Sequence, residues 1–298
     1  LESAYPQVKP LDLKENWGFA EGYNRALKKV EAEYYVLLNS DVEVTEDWLA
    51  PLENFLDEHP EVGACQPKIR AYHQKTHFEY AGAAGGWLDK YGYPFCRGRL
   101  FDVIEADEGQ FETPEPIFWA TGACLVVRAE LYHRLGGLDG DFFFAHMEEI
   151  DFCWRLQNAG HQLYFVPNSI IFHVGGGTLS VGSPFKMYLN LRNNLVMLHK
   201  NLPKERLFGT IFMRMVLDGV AGLTFILKGQ WGYFRAVLHA HGFFYRNLKS
   251  LRKKRRQVQK LAPAQSPKKL HGWLDQSIVW HYFVRRRKTF SDVPKIKN

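Results

Sequence analysis

The chain has 298 residues, 46% of them apolar and 23% charged, which is enough for one large domain or two modest ones with a real core and excludes a disordered or collagen-like polymer. Its net charge of +6 conceals an asymmetry: residues 1–199 carry 16 Lys and Arg against 28 Asp and Glu, and residues 200–298 carry 22 against 4. Four widely spaced cysteines, Cys65, Cys96, Cys124 and Cys153, exclude a disulfide scaffold and a paired-cysteine zinc site and read as reduced core residues of the cytosol.

In chain order, LESAYPQVKPLDLKENWG lacks the apolar stretch and cleavage site of a signal peptide and reads like the middle of an α/β unit. NWGFAEGYNRALKKV predicts a loop entering a helix, with Gly18 and Gly22 near its start. EYYVLLNSDVEV follows: an apolar run suited to a strand covered on both faces, ending in Asn39, Asp41 and Glu43. Ionised carboxylates are costly inside a sheet, but just past a strand's carboxyl end they face the crevice where α/β sheets bind ligands. The competing reading is that Asp41 starts a turn before a helix around 46–58, with Thr45 as its cap type. A strand at about 61–71 completes a β-α-β order and predicts a parallel sheet.

Residues 72–118, rich in Gly and aromatics and then acidic, predict long loops. ACLVVR reads as a strand, AELYHRL as a short helix, HMEEIDFCWRLQNAG as a helix ended by Gly160, HQLYFVPNSIIFHVGGGT as a strand pair ending at His173, and 183–201 as another helix. Glu148, Glu149 and Asp151 crowd one helix start, where the dipole favours acids. Three acids exceed what capping needs, and Arg155 lies one turn beyond Asp151 for an ion pair, which leaves Glu148 and Glu149 without a local partner. A histidine such as His173 after an apolar strand is commonly a hydrogen-bonded core residue, yet Gly175, Gly176 and Gly177 would let a phosphate-bearing ligand approach closely.

The last hundred residues are apolar and aromatic over 208–248 and cationic at SLRKKRRQVQK and VRRRK. Phe208 to Leu227 is long enough to span a bilayer, but Arg214 and Asp218 would each cost about 2.5–3.5 kcal/mol at its centre. Four residues apart, they share a helical face and suit a helix that pairs them while lying in the interface or packed on the domain. Trp231, Tyr233, Phe234, Phe243, Phe244 and Tyr245 suit a headgroup boundary, and Lys253, Lys254, Arg255 and Arg256 an anionic membrane surface rather than nucleic acid.

NWGFAEGYNRAL, LLNSDVEV, WATGACLVVRAELYHRLGGLD, FFFAHMEEIDFCWRLQNAGHQLYFVP and HVGGGT, in this order over about residues 14–200, resemble the family 2 glycosyltransferases, particularly the bacterial rhamnosyltransferase-like branch. The resemblance implies a GT-A fold, a Rossmann-like α/β domain with a mostly parallel sheet, over 1–200, and the apolar, aromatic and cationic stretches beyond it imply a membrane-associating helical region over 201–298. It further implies an inverting transfer from a nucleotide-sugar donor to a glycan or lipid-linked acceptor at the cytoplasmic face of the inner membrane. NSD resembles the family's Asp-x-Asp motif with Asn39 in place of the first acid, which makes Asp41 the main carboxylate on Mg2+ or Mn2+ and on the donor diphosphate. His173 resembles a further element of the metal site, and Gly18, Asn24 and Asn39 fall among the donor contacts. Glu148-Glu149 resembles the Glu-Asp catalytic motif, with Glu149 in the base position; Trp119, Thr121, Gly122 and Asp151 fall in the sugar and acceptor pocket. The family's opening strand-helix-strand has no counterpart in this sequence, so an inactive fragment or scaffold is an alternative, as is a metal-dependent nucleotidyltransferase or hydrolase.

Overall fold

The computed structural model describes residues 5–175, 182–261 and 270–294. Helix α1 (Gly18–Leu27) leads into strand β1 (Tyr34–Leu38), a short strand β2 (Val42–Val44), helix α2 (Ala50–Glu58) and strand β3 (Val62–Ala71). Thr45 is not the cap of α2, which starts at Ala50 with Pro51 in its first turn; its hydroxyl donates to Ile170 O at 2.8 Å, bracing β2 against the strand beside it. Where loops were expected, four short strands form instead: β4 (Gly86–Asp89), β5 (Pro94–Cys96), β6 (Arg99–Leu100) and β7 (Val103–Ile104). Then come β8 (Glu115–Pro116), β9 (Cys124–Arg128), α3 (Ala129–Arg134), α4 (Glu148–Asn158) and β10 (Gln162–His173). The segment expected as a strand pair is one strand, β10, whose register against β3 shifts between Val166 and Ile170.

The main sheet has the order β1-β9-β3-β10-β2, with β8 also on β10. It is mixed rather than mostly parallel, since β3 and β10 pair in parallel while the other pairings are antiparallel. The β1-α2-β3 crossover does set β1 and β3 in the same direction, but β9 returns from the long excursion after β3 and inserts between them. Successive side chains of β1 go to opposite faces: Tyr35 and Leu37 join the core beneath α4, and Val36 and Leu38 pack with Leu52 and Leu56 of α2. The strand is apolar because both faces are covered.

Helices α5 (Pro184–Asn201), α6 (Lys204–Leu227), α7 (Trp231–Arg246) and α8 (Leu248–Leu261) follow, α5 capped by Ser183, whose Oγ accepts from Lys186 N at 3.1 Å. The chain past residue 200 is not a separate unit. Strand β11 (Trp273–Leu274) pairs in parallel with β4, and Leu274, Ile278 and Tyr282 form a small core with Phe95 and Leu100. The apolar residues of the loop-like region thus find their partners about 180 positions later.

Arg214 and Asp218 of α6 do pair, at 2.9 Å, and both are buried: Arg214 donates to Asn194 Oδ1 at 2.7 Å and Asp218 meets His241 at 3.4 Å. The opposite face of α6 is apolar and bare. Phe208, Phe212, Val216, Val220, Leu223 and Leu227 recur at steps of three and four residues and are 41–86% exposed. Of the expected boundary aromatics, Trp231 and Tyr245 are exposed, whereas Phe244 is buried against His199. The cationic run also divides. Lys254 pairs with Asp139 and Asp141 at 2.9 and 2.7 Å, and Arg255 donates to His199 O at 2.7 Å, so these two hold α8 to the domain. Lys249, Arg252, Lys253, Arg256 and Lys260 stay exposed along one face.

Candidate active site

Three strand ends meet where the apolar run of β1 stops. Asn39 N donates to Ala123 O at 3.1 Å, just ahead of β9, and Val174 N donates to Asp41 O at 3.0 Å, just past β10. These backbone ties set Asp41 across from His173, with Nε2 3.2 Å from Asp41 Oδ1 and 3.4 Å from Asn39 Nδ2. Asp41 is about one-third exposed while His173 is buried, so the pair opens to solvent on the carboxylate side. Asp41 does sit in a turn with Ser40, but the turn leads into strand β2 and not into a helix end, so Asp41 caps no helix.

The other ring nitrogen of His173 stands 3.3 Å from Glu79 Oε1, a buried carboxylate in the segment between β3 and β4. Burial alone would lower the imidazole's affinity for its proton; Glu79 and then Asp41 outweigh it and hold the pKa above its ordinary value. Glu79 has no local sequence signal, since it meets the histidine only through the β3-β10 pairing. Gly175 shares in this arrangement: its φ is +70°, and a Cβ there would lie 3.0 Å from Glu79 Oε1. Gly176 and Gly177 lie outside the described residues.

The second acidic cluster begins α4. His146 and Met147, with φ of +70° and +72°, enter the helix through two successive left-handed residues, a conformation that costs side-chain-bearing residues roughly 1–2 kcal/mol each. Asn193 of α5 holds this turn, its buried amide donating to Ala145 O and His146 O, each at 2.8 Å. The Arg-Asn-Asn run inside an otherwise apolar helix was the overlooked signal, because asparagine is a poor choice mid-helix without a tertiary partner. Glu148 emerges buried, with Oε2 free of any hydrogen-bond partner among the described residues, and Glu149 is half-buried. Burial, then the charge of Glu149, raises the pKa of Glu148 well above the carboxylate range; burial raises that of Glu149.

One turn on from Glu149, Cys153 Sγ accepts from Ala120 N at 3.4 Å, which sets this face of α4 against the Trp119–Gly122 segment. Thr121 N donates to Gln66 Oε1 at 3.1 Å, Trp119 Nε1 donates to Trp87 O at 3.0 Å, and Gly122 faces the Phe19 ring. Gly18, with φ of +71°, opens α1 beside Phe144.

Two expected site residues are structural instead. Asn24, half-buried, donates to Leu138 O at 2.7 Å and accepts from Tyr132 Oη and Leu138 N at 2.8 and 2.9 Å, so it clamps α1 to α3 and the turn after it. Asp151 is wholly buried, paired with Arg155 at 3.0 Å and Lys200 at 2.9 Å and accepting from Asn201 at 2.8 Å; it joins α4 to α5 and cannot line a pocket. The Arg155 pair itself is the one its spacing implied.

Among the described residues no group of three His, Cys, Asp or Glu side chains surrounds a common metal position. Asp41 Oδ1 and His173 Nε2 nevertheless fit a divalent cation as two adjoining donors on an open side, with Glu79 behind the ring as the outer carboxylate that commonly orients a ligating histidine. A diphosphate would have to supply further oxygens. A mixed nitrogen and oxygen set suits Mn2+ better than Mg2+, which prefers oxygen alone.

The mixed α/β sheet between helices has the GT-A fold. The crystal structure of GalNAc-T7 with UDP, GalNAc and Mn2+ matches with a TM-score of 0.50 at 15% identity, over 67% of this chain and 37% of that one, a likeness of fold. Residues 1–136, a little under half of the chain, match the family model Glycosyl transferase family 2. Its curated relatives include bacterial rhamnosyltransferases. The N-acetylglucosaminyl-diphospho-decaprenol L-rhamnosyltransferase of Mycobacterium tuberculosis is 24% identical over 184 residues, 57% of this chain and 59% of that protein. The dTDP-rhamnosyl transferase RfbF of Shigella flexneri is 21% identical over 209 residues, 65% and 64% respectively. The chain thus spans less than two thirds of the length of either.

Proposed function

We propose that this protein transfers a sugar from a nucleoside-diphosphate donor to a hydroxyl of a lipid-linked or cell-surface glycan, with inversion at the anomeric carbon. The observation that carries this reading is the meeting of Asp41, Asn39 and His173 at the ends of β1 and β10, open on one side. Asp41 and His173 would hold a divalent cation, Mn2+ or Mg2+, which when bound neutralises charge on the departing diphosphate. Asn39, one-sided and neutral, leaves Asp41 as the main carboxylate there.

Glu149 is the proposed general base. It is the more accessible of the pair and lies on the face of α4 turned toward Trp119–Gly122, the proposed sugar pocket, with its pKa raised toward the range where a carboxylate accepts a proton efficiently near neutrality. Glu148, buried beside it, holds a proton when Glu149 is ionised, because two adjoining buried carboxylates resist simultaneous charge. A base on one side and a leaving diphosphate on the other make a single in-line displacement, hence inversion.

The bare face of α6 and the cationic face of α8 support attachment to an anionic membrane at its cytoplasmic face, where a lipid-linked acceptor would be met. Burial of Arg214 and Asp218 against α5 and α7 favours a helix lying on the membrane over one crossing it. A screen of nucleotide sugars with Mn2+, beginning with dTDP-rhamnose after the Shigella relative, tests the catalytic reading: donor-dependent product with an acceptor lipid supports it, and failure of every donor to stabilise or turn over defeats it.

A further inference from the structure

A cavity of about 730 Å³ opens between α6, the β4-β5 hairpin and the segment 276–294, and none of its lining residues belongs to the candidate active site. Met213 and Leu217 of α6 line it together with Val279 and Phe283, and Gln276 and Ser277 add neutral polar groups. Lys90, Arg285 and Arg287 also line it, and among the described residues no Asp or Glu does. Among the described residues none of these three cations has a carboxylate within ion-pair distance, and Arg287 NH1 instead stands 3.3 Å from the Nδ1 of His281. Burial and then the charges of Arg287 and Arg285 hold that imidazole below its ordinary pKa, and the Arg287 charge also reaches Asp292, a carboxylate outside the cavity lining. The cavity also adjoins the bare apolar surface. Trp280, Phe283 and Val284 line it while more than half exposed, and Phe212 and Val216 lie beside Met213 and Leu217 on α6.

A largely apolar slot whose charged groups are all cationic, opening beside an apolar face, matches one chemistry: a hydrocarbon chain attached to an anionic phosphate. We propose that this cavity binds a single anionic phospholipid of the membrane, its chain against Met213, Leu217, Val279 and Phe283 and its phosphate with Lys90, Arg285 and Arg287. The proposal deepens the membrane attachment argued above and rests on it for the source of the lipid. Its role is to fix the orientation of the domain on the bilayer: α6 and α8 supply a surface, whereas an occupied cavity ties one edge of the β4-β5 sheet to one lipid.

The test is titration of the full chain with dihexanoyl phosphatidylglycerol below its micellar concentration, compared with dihexanoyl phosphatidylcholine and with inorganic phosphate. One equivalent of phosphatidylglycerol is expected to bind, in preference to both. The double substitution Arg285→Glu, Arg287→Glu should weaken binding by about tenfold or more, since each cation near an anionic lipid contributes about fivefold. Lys249→Glu, Arg252→Glu on α8 should leave it unchanged. Equal binding of phosphatidylcholine, equal binding of inorganic phosphate, or wild-type binding by the rim variant would each overturn the proposal. Because the probe is a soluble monomer, this outcome is independent of vesicle flotation, which reads membrane attachment by α6 and α8 separately.

Discussion

His173 is held between two carboxylates from opposite sides, Asp41 at 3.2 Å from Nε2 and Glu79 at 3.3 Å from Nδ1. The two acids differ in exposure: Glu79 is buried and Asp41 opens to solvent, which divides them into a group that orients the ring and a group that can meet a ligand. Asp41→Asn should therefore abolish transfer and weaken Mn2+-dependent donor binding with little change in thermal stability. Calorimetric titration of donor with and without Mn2+ checks this, and unchanged turnover would remove Asp41 from the site.

Glu149→Gln should keep donor binding and lower the rate by ~10²–10⁴, the usual loss when a general base is removed. In the wild-type enzyme the rate should rise with pH along a limb displaced above the ordinary carboxylate range, because the raised group must lose its proton before it can accept one. That limb should vanish in Glu149→Gln. If Glu148→Gln produces the same pattern instead, the base is the buried member of the pair.

Glu148 also makes a prediction about stability. Its pKa is raised in the folded state by burial and by Glu149, so the native protein keeps this proton to higher pH than the unfolded chain does. The stabilising contribution is full below the unfolded value of about 4.3 and is lost as pH rises toward the folded one. Glu148→Gln, which never ionises, should match the wild type near pH ~4 and melt a few °C higher near pH ~8. Melting curves at the two pH values decide the sign.

Asn193→Ala leaves Ala145 O and His146 O without their donor, which should cost about 1–3 kcal/mol in urea unfolding. Freed of this clamp, the left-handed pair His146-Met147 should relax and move the start of α4, so kcat should fall more than donor affinity. Equal activity at equal folded fraction would make the clamp purely structural.

Phe212→Glu, Val220→Glu on the bare face of α6 should abolish flotation with anionic liposomes while the melting temperature holds, since neither side chain is buried. Reversing Lys249, Arg252 and Arg256 should weaken flotation and remove its salt dependence. A wild-type chain that stays in solution with these liposomes at low salt would defeat membrane attachment and leave the catalytic reading intact.

Local pattern alone determined a good deal of this protein. The apolar run ending in Asn39-Ser40-Asp41, the acids opening α4, and the pairs Asp151-Arg155 and Arg214-Asp218 follow from periodicity, because a two- or four-residue repeat dictates which side chains share a face whatever lies opposite. What lies opposite was decided by tertiary structure. Glu79 meets His173 across 94 positions, β9 slips between β1 and β3, β11 returns to β4, and Lys200 claims Asp151 for the core. Asn24 became a clamp for the same reason: its amide found Tyr132 of α3 and both backbone groups of Leu138 just after it, partners that no neighbour in sequence announces. A side chain's type sets which bonds it can make, but whether a carboxylate or amide is used up inside the protein or left for a ligand depends on the distant groups that folding brings within 3 Å of it.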